Sequence, residues 1–263
     1  MKNVCLILVL LLLYSVNAIA FGSPYFIGVK SYGAGTDLLL EDYEGKRIGY
    51  DFVNKKDVME IQRDTGGYIH DYSDYSGEPT REIDYRSPKS GLYKLQIYEH
   101  QDKTYSVRIY GTNEIMESFE TTIHGKLLKG EVQNIEILYS EIADQKTTAT
   151  KVLDLKVYER EVKAIFKNDS TDINKIKKEL FENINKAKKY LKKDTVKAKE
   201  FINNIVGITT IARREFLVKS GRPQDLSVDY KFDGVNTWEW YRDNILKYDI
   251  LINDAKELIE QIK

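Results

Sequence analysis

Residues 90–111, SGLYKLQIYEHQDKTYSVRIYG, carry the clearest structural pattern in the chain. Apolar and aromatic residues alternate with polar ones on both sides of a polar stretch at residues 99–103. This alternation places every second side chain on one face of a strand, and a short polar stretch between two such runs is typical of a turn. The segment therefore predicts an antiparallel β-hairpin whose buried face is formed by Tyr93, Leu95, Ile97, Tyr105, Val107 and Ile109.

Further strands are predicted on both sides of this segment. Glycine-containing turns at residues 32–35 and 43–45 favour hairpins over helices. The predicted strands are 25–31, 36–42, 46–53, 80–86, 92–98, 103–110, 114–124 and 131–139. Strands at this spacing, with no helical pattern between them, predict an antiparallel β-sandwich over residues 21–140, and a closed barrel is the alternative.

Tyrosine is the most frequent aromatic residue, with 19 copies against nine phenylalanines. Its ring suits a pleated, half-buried surface, so we expect most tyrosines of the sandwich to pack across strands. The alternative is an exposed platform on which sugar rings stack.

The first twenty residues have the pattern of a secretory signal peptide. Lys2 precedes an uncharged apolar run at residues 4–13, and residues 18–20 supply small side chains for cleavage after Ala20. A retained membrane anchor, the alternative, would need about 20 apolar residues. Cys5 is the only cysteine, so the mature chain would contain neither disulfides nor a reactive thiol. We therefore expect a bacterial product that is secreted, periplasmic or at the cell surface.

Charge is distributed unevenly along the chain. Residues 21–150 contain 15 basic and 22 acidic side chains, a net charge of −7, whereas residues 151–200 contain 15 and 9, a net charge of +6. This shift predicts a domain boundary near residue 150, with a polar linker at residues 141–152. A helical domain is expected over residues 153–263.

The helical domain is expected to begin with a helix from about residue 154, followed by three amphipathic helices. The second of these three begins at Asp194 or Thr195 and ends at Gly221, and the third opens at Asn236. Their apolar stripes predict an antiparallel three-helix bundle. The stripes are Ile173, Ile176, Leu180, Ile184, Ala187 and Leu191; Ala198, Phe201, Ile205, Ile208, Ala212 and Phe216; and Trp238, Tyr241, Ile245, Tyr248, Ile252, Ala255, Ile259 and Ile262.

Between residues 64 and 84 the alternation is lost, and we expect a long irregular loop. Asp71, Asp74 and Glu78 supply oxygen ligands of the kind that calcium prefers, so they form a candidate metal site. Their spacing differs from that of the standard calcium loop, and a solvated acidic surface loop is the alternative. Tyr68, Tyr72 and Tyr75 of the same loop are candidate ligand-binding residues.

The motifs of common enzyme classes are not found in the sequence. The three histidines, His70, His100 and His124, are too far apart to suggest a zinc motif. Neither a nucleophile elbow nor a phosphate-binding glycine loop occurs. We therefore expect a protein that is not an enzyme, although a pair of glycosidase carboxylates has no sequence signature and stays an alternative.

Two resemblances to known families support this interpretation. The pattern Leu38-Leu39-Leu40, Asp42, Gly45-Lys46-Arg47, Gly49, Asp51, Glu60-Ile61, Tyr68, Gly91, Tyr93, Leu95, Ile97, Tyr105 and Val107 resembles secreted bacterial accessory β-sandwiches of pre-peptidase C-terminal type. The resemblance covers about residues 36–110. It implies a noncatalytic appendage of an exported protein that binds carbohydrate or protein, and it brings no catalytic residues.

The helical part resembles a second kind of module. Lys186, Ala187, Leu191, Ala198, Phe201, Ile202, Ala255, Leu258 and Ile259 are similar to the pattern of FIMAH or FIVAR modules. That resemblance covers about residues 171–262 and implies an association with exported bacterial polysaccharide-acting and surface proteins. The connection at residues 220–237 is longer than in the family.

Residues 171–199 contain ten lysines and four acidic residues. An anionic wall polymer, a membrane surface or a nucleic acid would fit such a face. Secretion argues against nucleic acid, and no aromatic residue is expected among the lysines as base stacking requires. The alternative is an ordinary solvated helix face.

Together these features predict a noncatalytic exported bacterial protein, with a β-sandwich and a helical bundle, that acts in binding or adhesion at the cell envelope. Its expected partners are carbohydrate or an envelope protein, and no cofactor other than calcium is expected. A secreted polysaccharide hydrolase and a structural envelope component are the alternatives.

Overall fold

The computed structural model describes residues 25–32, 35–61, 67–73, 79–142, 145–167, 174–222, 240–242 and 244–262. The predicted signal peptide lies outside these residues. The chain divides into two compact units. The first comprises the chain up to Tyr98, Ser106–Ile123 and Asn134–Thr150, and the second comprises Glu99–Tyr105, His124–Gln133 and Lys151–Lys263.

The described residues contain eleven strands in two antiparallel sheets. The alternation predicted the antiparallel sheets and eight of these strands, but not β4, β5 or β11. The strands are β1 (Phe26–Tyr32), β2 (Thr36–Glu41), β3 (Arg47–Asp51), β4 (Lys56–Met59), β5 (Gly67–Ser73), β6 (Pro79–Arg86), β7 (Gly91–Glu99), β8 (Lys103–Thr112), β9 (Ser118–Leu127), β10 (Val132–Tyr139) and β11 (Thr148–Lys151). One sheet has the order β5-β6-β1-β8-β9 and the other β11-β10-β7-β2-β3-β4.

Strands β7 and β8 do not form the predicted hairpin, because they belong to different sheets. β7 lies between β10 and β2, whereas β8 lies between β1 and β9. The six residues assigned to the buried face are nonetheless fully buried. Alternation determines which face of a strand is apolar, but it does not determine which neighbour the backbone bonds to within the sheet. The prediction of the face was right and the prediction of the partner was wrong.

Aromatic side chains fill the space between the two sheets in the first unit. The ring of Tyr93 on β7 lies edge-on to Tyr85 on β6, with a centroid distance of 5.7 Å, and to Tyr139 on β10 at 6.2 Å. Phe119 on β9 continues the cluster, 6.1 Å from Tyr139. Edge-to-face pairs stabilise by about 1 kcal/mol each beyond the burial of their area. These tyrosines are therefore core residues, as the packing interpretation predicted.

The stretch between residues 64 and 84 contains more regular structure than predicted. Residues 67–73 form β5, which pairs with β6 so that Asp71 lies opposite Arg81. This strand was not predicted because the neighbouring glycines are typical of a loop. Its backbone groups are satisfied by hydrogen bonds to β6. Residues 148–151, placed in the predicted linker, form strand β11.

Four helices are described: α1 (Leu155–Ile165), α2 (Asn174–Tyr190), α3 (Thr195–Lys219) and α4 (Leu246–Gln261). Asp154 caps α1 by accepting hydrogen bonds from the backbone N–H groups of Lys156 and Val157, both at 2.7 Å. Asp194 caps α3 in the same way, as predicted. All four helices contribute to one hydrophobic core.

The buried stripe of α3 is rotated slightly from the predicted one. Ile202, Thr209 and Leu217 are buried, whereas Phe201 and Phe216, one position earlier in each case, are only partly covered. Two neighbouring stripes satisfy the same helical period in this stretch, and only packing against the other helices selects between them.

Candidate functional site

The predicted calcium and ligand-binding residues are only partly within the described chain. Tyr68 and Tyr72 lie on β5, while Tyr75, Asp74 and Glu78 fall outside the described residues. Among the residues that the structure describes, no group of three or more His, Cys, Asp and Glu side chains could hold a metal ion.

Asp71 is bound by an arginine. Its Oδ1 accepts from Nε of Arg81 at 2.8 Å, and its Oδ2 accepts from a terminal nitrogen of the same guanidinium at 3.2 Å. Arg81 also forms ion pairs with Asp37 at 2.9 Å and with Asp57 at 3.0 Å. Two-point pairing fixes the orientation of a carboxylate. Binding of a cation by Asp71 would therefore require its hydrogen bonds to the guanidinium of Arg81 to break.

The second unit contains a buried charge cluster formed by Lys151, Glu161 and Asp254. Nζ of Lys151 lies 2.6 Å from Oδ2 of Asp254 and 3.3 Å from Oε1 of Glu161. The exposed fraction is 2% for the Lys151 side chain and 5% for each carboxylate. Lys151 comes from the end of β11, Glu161 from α1 and Asp254 from α4, so the cluster joins three elements.

Protonation balances the charges of this cluster. Burial raises the pKa of Asp254 well above its usual range, and the neighbouring Glu161 raises it further. Burial acts on Glu161 in the same sense, but Lys151 and hydrogen bonds outweigh it, so the pKa of Glu161 is lowered. Burial opposes the charge of Lys151, but the carboxylates more than offset it and hold its pKa well above normal. We infer that Lys151 is charged and that the two carboxyl groups, which titrate together, share the negative charge opposite it.

Several polar groups around the cluster are also hydrogen-bonded, whereas the buried hydroxyl of the neighbouring Tyr105 has no hydrogen-bond partner in the described part of the chain. The backbone N–H of Lys126 donates to Oε1 of Glu161 at 2.9 Å. Gln261 donates to the carbonyl oxygen of Lys151 at 2.7 Å and accepts from the backbone N–H of Leu153 at 3.0 Å. The hydroxyl of Tyr158 donates to the carbonyl oxygen of Leu251 at 3.1 Å. These contacts connect Lys151, α1 and α4 within the second unit.

Shifted pKa values are often found at reaction centres, but burial separates this cluster from substrates. With no more than 5% of any of the three side chains exposed, a reacting molecule has no access to them. The cluster bears on stability, because removal of one partner would leave an uncompensated buried charge. The cluster was not predicted from the sequence. The sequence feature that pointed to it is Glu161, a charged residue next to the apolar residues of α1.

A cleft of 440 Å³ opens in the first unit where both sheets end, and we name it the edge cleft. Its walls are residues 117–121 and 145–149, together with Ile109 and Asn113. β9 is the last strand of one sheet and β11 is the last strand of the other. Ligand sites commonly have volumes of about 300–1,000 Å³, so the cleft has room for a small molecule.

The edge cleft has both polar and apolar walls and contains one aromatic ring. Amides, hydroxyls, two carboxylates and the ammonium of Lys146 line it together with Ile109, Ala149 and the half-buried Phe119. Its two carboxylates already have donors: Arg108 donates to Glu120 at 2.6 Å, and the side chain of Asn113 donates to Glu117 at 3.3 Å. This site was not predicted, because its two walls, residues 117–121 and 145–149, lie more than twenty residues apart in the chain.

No helix in the described part of the chain combines the length and the apolar character needed to cross a membrane. Comparison with protein-family models, with curated proteins and with solved structures finds no match to this chain.

Proposed function

We propose that the protein is a noncatalytic binding protein of the bacterial cell envelope, and that its edge cleft binds a short carbohydrate. The observation that carries this proposal is the lining of the cleft, where amide, hydroxyl, carboxylate and ammonium groups occur together with the half-buried ring of Phe119. Export by a signal peptide cleaved after Ala20 belongs to the same proposal.

The chemistry of a sugar matches this lining. Each sugar hydroxyl both donates and accepts a hydrogen bond, and Gln145 and Thr121 offer groups of both kinds. One face of a sugar ring carries mainly C–H groups, which pack against an aromatic ring such as that of Phe119. A neutral oligosaccharide therefore uses both the polar groups and the ring.

Hydrolysis is the alternative, because Glu117 and Glu120 lie in one cleft as the two carboxylates of a glycosidase do. Against it, each of these carboxylates already accepts a hydrogen bond from a fixed neighbour. Binding without turnover is accordingly the better-supported function. A hydrolase would release reducing sugar from a polysaccharide panel, and that release would stop in Glu120→Gln.

An extended peptide of an envelope protein is the second candidate ligand. Both walls of the edge cleft include the terminal strand of a sheet, and such strands can pair with an added strand. The resemblances to accessory β-sandwiches and to FIMAH or FIVAR modules are consistent with either ligand. We also propose that α2, α3 and α4 form the antiparallel three-helix bundle, with α1 packed against it.

A glycan array, followed by calorimetric titration of each hit, tests the proposal. Gln145→Ala should weaken binding about three- to tenfold, which corresponds to the loss of one hydrogen bond. Gln101→Ala, at an exposed glutamine outside the cleft, is the matched control and should bind as the parent does. An empty array, or equal losses in both variants, would contradict carbohydrate binding in the edge cleft.

A further inference from the structure

The connection between α2 and α3 forms a tight turn within the second unit. The backbone N–H of Leu191 donates to Ala187 and that of Asp194 donates to Tyr190, both at 2.8 Å. α3 then begins at Thr195 and packs against α2. The short connection places the last turn of α2 beside the first turn of α3.

This turn is strongly basic. Residues 186–201 contain seven lysines and two acidic residues. Five of the lysines are exposed, namely Lys186, Lys189, Lys192, Lys193 and Lys197. In the part of the chain that the structure describes, none of these five ammonium groups forms an ion pair with a carboxylate.

Aromatic rings lie among these lysines, contrary to the expectation from the sequence. Tyr190 of α2 stacks on Phe201 of α3 with a centroid distance of 5.6 Å. The ammonium of Lys197 lies 4.7 Å from the ring centroid of Tyr190, and that of Lys186 lies 5.8 Å from the ring of Phe201. The pairing of the two rings was not predicted, because they are eleven residues apart and come from different helices.

An exposed apolar side chain lies in the same turn. Val196, in the first turn of α3, is 78% exposed, the highest value among the large hydrophobic residues described. Lys192, Lys193 and Lys197 are close to it in the chain. We name residues 186–201 the lysine–aromatic turn.

We propose that the lysine–aromatic turn docks on the surface of an anionic lipid bilayer. Each lysine near such a surface is attracted to anionic headgroups, and tyrosine is favoured at the level of the headgroups. The exposed Val196 favours a bilayer over a soluble polyanion as the partner. Transfer of its apolar side chain from water into the bilayer interface lowers the free energy, whereas a soluble polyanion has no apolar region. This site lies in the second unit, and its test is independent of sugar binding in the edge cleft.

The experiment is sedimentation of the full chain with sucrose-loaded vesicles. Binding to phosphatidylcholine vesicles containing about 30% phosphatidylglycerol should exceed binding to pure phosphatidylcholine by at least about tenfold. About 0.5 M NaCl should remove most of this difference, because salt screens exposed charges. The apolar run at residues 4–13 is the same in all variants, so binding to neutral vesicles measures its contribution.

Matched variants locate the surface. Lys189→Glu/Lys192→Glu/Lys193→Glu should weaken binding to anionic vesicles about 100-fold, whereas Lys156→Glu/Lys219→Glu/Lys256→Glu, at three other exposed lysines, should change it by less than about threefold. Val196→Ser should weaken binding about threefold, and Ile211→Ser, at an exposed position on the same helix, should not.

Several outcomes would overturn the proposal. These are equal binding of the parent chain to the two kinds of vesicle, equal loss in both triple variants, or equal loss in both serine variants. Binding to dextran sulfate that depends on the same lysines but not on Val196 would replace the bilayer with a soluble polyanion. The salt and lipid dependence of the parent chain tests the proposal even if a variant fails to fold.

Discussion

The ammonium of Lys151 lies 2.6 Å from Oδ2 of Asp254, although the two residues are 103 positions apart in the chain. Glu161 completes the buried charge cluster, with Oε1 3.3 Å from the same ammonium. One buried ammonium therefore contacts carboxyl groups of both α1 and α4 within the second unit.

Replacing Lys151 with methionine should strongly destabilise the second unit. The negative charge that Glu161 and Asp254 share would then be buried without a counter-ion, and removing one partner of a buried ion pair costs about 3–5 kcal/mol. Urea denaturation followed by circular dichroism of the helices measures the change. Lys156→Met, at an exposed lysine on α1, is the control and should change the free energy of unfolding by less than about 0.5 kcal/mol.

Neutralising the whole cluster should restore most of that loss. In Lys151→Met/Glu161→Gln/Asp254→Asn no buried charge is left unpaired, so the triple variant should be more stable than Lys151→Met alone. If the single variant is as stable as the parent chain, the cluster does not hold the three elements together.

His124 should make the protein less stable in mild acid. Burial, together with the charge of Lys151, lowers the pKa of His124 to about 4, whereas an unfolded histidine titrates near about 6.5. As the pH falls from about 6.5 to 4, His124 becomes protonated in the unfolded chain but stays neutral in the folded chain. The free energy of unfolding therefore falls, by about 3 kcal/mol in total.

The measurement is the free energy of unfolding between about pH 7 and 4 in the parent chain and in His124→Gln. The variant should lose less stability over this range, because the other titrating groups are common to both proteins. His100→Gln, at an exposed histidine, is the control and should follow the parent chain. Parallel curves for all three proteins would refute a role for His124.

Two glycines of the β2–β3 region should differ in their tolerance of alanine. A Cβ on Gly49 would lie 2.1 Å from the carbonyl oxygen of Leu38, at a φ of +124°. Gly45 also has a positive φ, +84°, but nothing lies within 4 Å of the added carbon. Gly49→Ala should therefore cost at least about 3 kcal/mol and Gly45→Ala about 1–2 kcal/mol, measured by thermal or urea unfolding. Equal costs would show that the close contact at Gly49 relaxes.

Calcium binding by Asp71, Asp74 and Glu78 stays a prediction that a thermal melt can test. If these residues bind calcium, about 10 mM CaCl₂ should raise the melting temperature, because a ligand bound only by the folded state stabilises it. Asp74→Asn should reduce the shift, and the same concentration of MgCl₂ serves as the control. An unchanged melting temperature would contradict calcium binding by these residues.

Signal cleavage is tested by mass spectrometry of the exported protein. Cleavage after Ala20 predicts an N-terminal residue Phe21. Replacing Ala18 and Ala20 with large residues should block cleavage, because signal peptidase requires small side chains there. An exported protein that keeps Met1 would show that the apolar run is retained as an anchor.

The sequence by itself determined which residues face the core of the sheets and where the helices α1 and α3 begin. The buried face of Tyr93, Leu95 and Ile97 follows from alternation alone, and the start of α3 follows from the capping side chain of Asp194. These features are local, because strand pleat, helical period and caps depend on neighbours within a few residues.

Only the tertiary structure decided that β7 and β8 belong to different sheets, that Lys151 meets Glu161 and Asp254, and that Tyr190 meets Phe201. In each case the local sequence pattern of an element is compatible with more than one neighbouring element. Backbone hydrogen bonds between strands do not depend on side-chain identity, and a charged side chain on a helix can face either water or a buried counter-ion. Packing of the whole chain selects among these options, since only one arrangement pairs the buried charges and fills the space between the sheets.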